Sequence, residues 1–139
     1  MLTFKQLNEA LDLKIHKHES GGTVTHAHEY NVNGNKVVYT YSQLNSKRPK
    51  SFAVDMYVNG SADKHGDLSA KDGAHVIRTL SNDSANRFIK DHKPQSLEAL
   101  GNTAHKHKLY KILMKRMATK HGGTYSPANV NGYAEVKFK

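Results

Sequence analysis

Apolar residues recur at two spacings along this chain, and the spacing switches several times between its ends. At the start, Phe4, Leu7, Leu11 and Ile15 stand three or four residues apart, which predicts a short amphipathic helix. Thr3 can cap it, with Gln6 three positions on as the partner of a capping box. Gly21-Gly22 ends the segment, so residues 1–20 are expected to stand apart from a single domain over 21–139. Alternation takes over in 23–32, 36–41 and 51–58. Asn33-Gly34 between the first two is a strong hairpin signal, and Asn59-Gly60 closes the third, so the three strands read as an antiparallel meander.

The helical spacing returns after a polar loop over 61–72. Ile77, Leu80, Ser84 and Phe88 mark a helix over 73–92, which Pro94 stops. Residues 96–100 read as a short buried strand. A second helix over 103–121 directs Leu109, Ile112, Leu113 and Met117 inward and ends at Gly122-Gly123. Residues 132–138 alternate as a closing strand. The predicted class is α/β (α+β), a three-strand meander followed by helix, strand, helix, strand. A right-handed crossover makes strands 51–58 and 96–100 parallel neighbours.

Composition narrows the chemistry. The chain has 139 residues, no cysteine and a mean hydropathy of -0.73, so thiolate catalysis, disulfides and zinc–thiolate sites are excluded. No run has the length of a membrane span and no secretory signal is evident, which predicts a soluble, intracellular protein. Twenty-one Lys and Arg against twelve Asp and Glu leave a net charge of +9, which favours nucleic acid or an acidic protein surface as partner. No acid falls between Ala99 and Ala134, while Lys106, Lys108, Lys111, Lys115, Arg116 and Lys120 crowd one helix. These six, with Lys47, Arg48 and Lys50, form the candidate polyanion-binding set; the competing reading is a solvated face whose lysine stems cover the core.

Histidines come in pairs, His16 with His18, His26 with His28, and His105 with His107. His26 and His28 fall on one face of a strand, but Glu29 falls on the other and no third ligand presents itself, so no metal is assigned. No Ser-His-Asp set or paired carboxylates can be singled out.

The run Phe88-Ile89-Lys90-Asp91-His92-Lys93-Pro94-Gln95-Ser96-Leu97, followed by Lys106-His107-Lys108-Leu109-Tyr110-Lys111-Ile112-Leu113-Met114-Lys115-Arg116-Met117, resembles small phage-encoded proteins with a GNAT-type acetyltransferase fold. The resemblance covers residues 23–139 and rests on the order of elements. If it extended to activity, it would imply acetyl-CoA as cofactor, Tyr110 as the acid that protonates the departing thiolate, and Gly73, Ala74 and His75 as the turn around the pyrophosphate. That turn keeps one glycine in Ala70-Lys71-Asp72-Gly73-Ala74-His75 and sets Asp72 beside the phosphate, so a non-catalytic protein with no cofactor is favoured.

The N-terminus, Met1-Leu2-Thr3-Phe4-Lys5-Gln6-Leu7-Asn8-Glu9-Ala10, resembles the leader of proteins packaged into T-even-like phage heads. The two resemblances together imply a place in the host cytoplasm or the virion, and this one implies phage head proteins as partners and cleavage between Glu9 and Ala10. Three readings stay open: a non-catalytic virion-associated or host-interacting protein that meets a polyanion through its basic helix, an acetyl-CoA-dependent N-acetyltransferase, and a capsid or decoration protein.

Overall fold

The computed structural model describes residues 13–32, 35–60, 70–100, 104–127 and 133–139. Among these residues seven strands form one sheet: β1 (Lys14–Ser20), β2 (Thr23–Val32), β3 (Asn35–Gln43), β4 (Ser51–Val58), β5 (Ser96–Leu100), β6 (Gly123–Pro127) and β7 (Tyr133–Phe138). Two helices among the described residues cross it, α1 (Ala70–His92) between β4 and β5, and α2 (Ala104–His121) between β5 and β6. The strand order is β1-β2-β3-β4-β5-β7-β6. Every neighbouring pair is antiparallel except β4 and β5, which the α1 crossover makes parallel. The fold is mixed α+β, and the predicted meander, both helices and the closing strand are present.

Two strands go beyond the sequence reading. The expected N-terminal helix does not extend to Ile15, because Lys14–Ser20 is a strand that pairs along its length with β2. The hairpin turns at Gly21 and Gly22, both in the left-handed region where glycine carries no Cβ penalty. Among the described residues the sheet therefore starts at Lys14, and a boundary at residue 20 would cut through it. The possible leader, including Glu9 and Ala10, lies outside the described residues. β6 is the second addition, an edge strand paired with β7. Its first residue is glycine for a steric reason: a Cβ at Gly123 would come within 2.8 Å of the Lys137 carbonyl oxygen and 2.9 Å of a Val136 methyl.

One face of the sheet makes the core. Tyr30 of β2, Val37, Tyr39 and Tyr41 of β3, Phe52, Val54, Met56 and Val58 of β4, Leu97 and Ala99 of β5, and Ala134 and Val136 of β7 are all buried and share that face through the register. The helices cover it with Ile77, Leu80, Phe88 and Ile89 from α1 and Tyr110, Leu113, Met114 and Met117 from α2. Phe88 stacks flat on Tyr41, ring centroids 4.1 Å apart, with Phe52 edge-on at 4.9 Å.

The contact beneath α1 is unusually polar. Tyr39 shares a hydrogen bond with the Ser81 hydroxyl, Tyr41 and His28 each meet the Ser84 hydroxyl at 2.8 Å, and Tyr30 donates to Asp83 at 2.6 Å. Arg87 Nε in turn donates to the same Asp83 carboxylate. Each of these buried hydroxyls thus finds a partner in the layer between sheet and helix, as burial requires. Farther toward the α1 C-terminus, the His26 ring meets those of His92 and Phe88 at a tilt, centroids 4.1 and 5.6 Å away, so the rings of His26 and His28 are each engaged by α1.

Burial pulls the His28 pKa down to about 4, with the nearby Asp83 carboxylate opposing the fall. The unfolded chain, with an ordinary imidazole near 6.5, takes up this proton first as pH drops. Stability from His28 is therefore complete above about pH 6.5 and is lost progressively between there and about pH 4, a change of about 3 kcal/mol. Urea midpoints measured across that range should fall steeply for the native chain. They should fall less for His28→Gln, and equal slopes would exclude His28 as the titrating group.

Candidate nucleic-acid interface

α2 divides its side chains cleanly. Tyr110, Leu113, Met114, Met117 and Ala118 face the sheet, while Lys108, Lys111, Lys115, Arg116 and Lys120 are exposed. None of these five cations lies within ion-pair distance of a carboxylate among the described residues; the pairs formed there involve His16, Lys17, Lys36 and Arg87. Lys115 instead holds its ammonium 5.5 Å from the centre of the Tyr125 ring. Five sequence-predicted positions thus stand together as an uncompensated positive face.

The turn predicted to extend that face also carries its charge outward. Lys47, Arg48 and Lys50 are exposed between β3 and β4. Lys50 donates from Nζ to the His92 carbonyl oxygen at 2.9 Å, tying the turn to the C-terminus of α1. The Lys50 carbonyl accepts from the amides of Gln95 and Ser96, and the Gln95 carbonyl accepts from the Phe138 amide. The Phe138 ring meets His121 edge-on, 6.4 Å between centroids. The basic turn, the C-terminal ends of both helices and the end of β7 therefore gather at one end of the sheet.

Lys106 is the exception, and it corrects the sequence reading. It is 2% exposed and donates from Nζ to the Met56 carbonyl oxygen at 2.9 Å, so it forms no part of an outer basic face. The geometry of β4 explains the contact. The Leu44 amide donates to the Ser51 carbonyl and the Asn59 amide to the Lys36 carbonyl, so odd-numbered residues of β4 bond toward β3. Even-numbered residues then direct their amides and carbonyls toward β5. Parallel pairing with β5 runs only from Ser51/Ser96 to Ala53/Glu98, after which the strands part. Met56 consequently turns its backbone polar groups into the parting, and Lys106 satisfies the carbonyl.

Tyr110, one helical turn beyond Lys106, lines the same parting. It is 1% exposed, and its hydroxyl lies against the Met56 backbone without completing a hydrogen bond. Burial raises its pKa well above the ordinary phenol, with the Asp55 charge adding to the rise. An acid made weaker by its surroundings, and sealed from solvent, is poorly placed to protonate a thiolate. The implied pyrophosphate turn is corrected as well. α1 begins at Ala70 rather than residue 73, so the amides of Ala74 and His75 are committed to carbonyls one turn back, and Gly73 stands in regular helix. The residues that the resemblance names do not form a cradle for acetyl-CoA: Tyr110 is sealed beside Lys106 in the parting between β4 and β5, and the amides of Ala74 and His75 are taken.

No family model, curated protein or solved structure matches this chain. The site is therefore read from its own geometry. Among the described residues no three His, Asp or Glu side chains gather as metal ligands, and no helix is long and apolar enough to cross a membrane.

Sequence reasoning missed one feature of the interface. A groove of about 690 Å³ runs between the helices, lined by Asn82 and Asn86 from α1 and by Lys115, Arg116, Thr119 and Lys120 from α2 over a Met117 floor. The two asparagines lie four residues apart on one helix, and Arg116 and Lys120 repeat that spacing on the other. Only the packing of α1 beside α2 brings them together.

Replacing Lys106 tests the parting. Lys106→Met keeps most of the stem but leaves the buried Met56 carbonyl without its donor. A loss of about 1–3 kcal/mol is expected in urea unfolding. An unchanged midpoint would show that this hydrogen bond contributes nothing.

Proposed function

We propose that this chain is a non-catalytic protein with a GNAT-like fold that binds the phosphodiester backbone of nucleic acid through the outer face of α2. The strand order and the single parallel β4–β5 pair support the fold reading. The observation that carries the function is the run of Lys108, Lys111, Lys115, Arg116 and Lys120, exposed and without a carboxylate partner among the described residues. A face of this kind attracts phosphates by charge and gains from releasing their counterions. Aromatic side chains are sparse on it, so stacking on bases contributes little and the binding is indifferent to sequence. A packaged phage protein meets a genome at high concentration, and the leader resemblance of residues 1–10 fits the same reading.

An N-acetyltransferase is the rival, and it is disfavoured by the occupation of the β4–β5 parting by Lys106 and Tyr110. Saturating acetyl-CoA should leave the melting temperature of the native chain where it is. An upward shift, of the kind a specific ligand produces by binding only the folded state, would restore the enzyme.

Salt dependence tests the binding itself. Affinity for duplex DNA should fall linearly with salt on logarithmic axes. The combined variant Lys108→Gln, Lys111→Gln and Lys115→Gln should flatten that slope by about 0.9 for each phosphate it no longer neutralises. An unaltered slope would place the DNA on another part of the surface. Absence of DNA binding at low salt, with capture of an acidic polypeptide instead, would replace nucleic acid by a protein partner.

A further inference from the structure

The groove between the helices differs from the open lysine face in having two walls of different chemistry. The α2 wall supplies the charges of Lys115, Arg116 and Lys120, and the α1 wall supplies neutral amides from Asn82 and Asn86. Among the described residues, no carboxylate lines it. At its end, His121 Nε2 meets Asn86 Oδ1 at 2.8 Å. A carbonyl oxygen only accepts, so Nε2 carries the hydrogen and Nδ1 is the nitrogen free to take a further proton. The same bond fixes the Asn86 amide, leaving its two N–H donors as the groups available to a ligand. Donors thus face one another across the groove, with charge on one side and orientation on the other.

We propose that this groove seats one phosphate group of a nucleic-acid backbone, held by Lys115, Arg116 and Lys120 from α2 and by the Asn86 amide from α1, with His121 taking up a proton at Nδ1 as the anion binds. The proposal rests on the nucleic-acid reading above and gives it a location. An oxyanion with several acceptor oxygens suits a site made of donors, and the Arg116 guanidinium can meet two of them. The carbonyl end of α2 opposes an anion with about half a charge, which the cations in the lining outweigh.

The proton follows from the same surroundings. Burial lowers the His121 pKa, and the positive charges of Lys120 and Lys90 lower it further. From α1 the groups near it are Asn86 and Lys90, from α2 Lys120 with Arg116 and Lys115 along the groove, and from β7 the uncharged Phe138 ring. Both effects favour the neutral imidazole. A phosphate in the groove reverses the sign of the local field, so the imidazole becomes easier to protonate. By linkage, binding tightens as pH falls.

The decisive measurement follows the His121 ring by NMR through a pH titration of the native chain, alone, with a short thymidine oligonucleotide, and with inorganic phosphate. The His121 midpoint should rise by about half a unit or more when the oligonucleotide is bound. Binding should also tighten between about pH 7.5 and pH 5.5 by up to about fivefold more in the native chain than in His121→Gln. That ratio isolates the contribution of His121 from those of the other histidines. If the oligonucleotide binds and the His121 midpoint stays where it was, the groove proposal falls while the lysine-face reading stands. If inorganic phosphate moves His121 and the oligonucleotide does not, the ligand is a free phosphate and the nucleic-acid assignment of the groove is overturned. If the oligonucleotide does not bind, both readings fall together.

Discussion

The polar seam between α1 and the sheet holds the rest of the molecule in place. Tyr30, Tyr39, Tyr41 and His28 project from β2 and β3 and find Asp83, Ser81 and Ser84 along one side of the helix. Apolar packing alone lets a helix slide or rotate at small cost, whereas hydrogen bonds of fixed length penalise both movements, because each displaced hydroxyl is left buried without a partner. With α1 fixed, β5 is delivered beside β4, α2 is delivered beside α1, and the distance between the two helices is set. The groove that Asn82 and Asn86 share with Lys115, Arg116 and Lys120 is a consequence of that spacing.

The β4–β5 parting shows how one element can serve as a support rather than a site. Two strands that separate expose backbone groups to the gap, and something must satisfy them. Here the chain fills the gap from within: Lys106 extends its stem across the core and caps the Met56 carbonyl, while Tyr110 takes up the space beside it. Filling the gap also anchors the first half of α2, so that the remaining lysines have no course but outward. A charge buried in the first half of the helix and charges exposed along the rest of it are two parts of the same packing solution.

Much of this architecture is readable in the sequence, and the exceptions have physical causes. The meander is announced by clean alternation and by Asn33-Gly34 and Asn59-Gly60, and both helices by their apolar stripes and glycine or proline stops. β1 is hidden because it is exposed throughout: no face is buried, so no alternation is written into Lys14–Ser20, and Ile15 continues a helical spacing from upstream instead. β6 carries Tyr125 as its one large ring between Gly123 and Pro127, and pairing with β7 makes it a strand. Lys106 reads as a member of the basic face by charge, although it stands four residues before Tyr110 and eleven before Met117, on their side of the helix. That spacing is the available clue. The pairing of Asn86 with His121 leaves no such trace, since it arises where two helices distant in sequence meet.

β1 also has a bearing on how these molecules behave in a crowd. Among the described residues it forms the outer margin of the sheet, and its seven residues include two lysines, two histidines and one glutamate, all open to water. An unpaired strand edge invites a second chain to add itself by backbone pairing, the first step toward fibrils and tangled oligomers. Aligning two such margins would crowd ammonium and imidazole groups against their own kind.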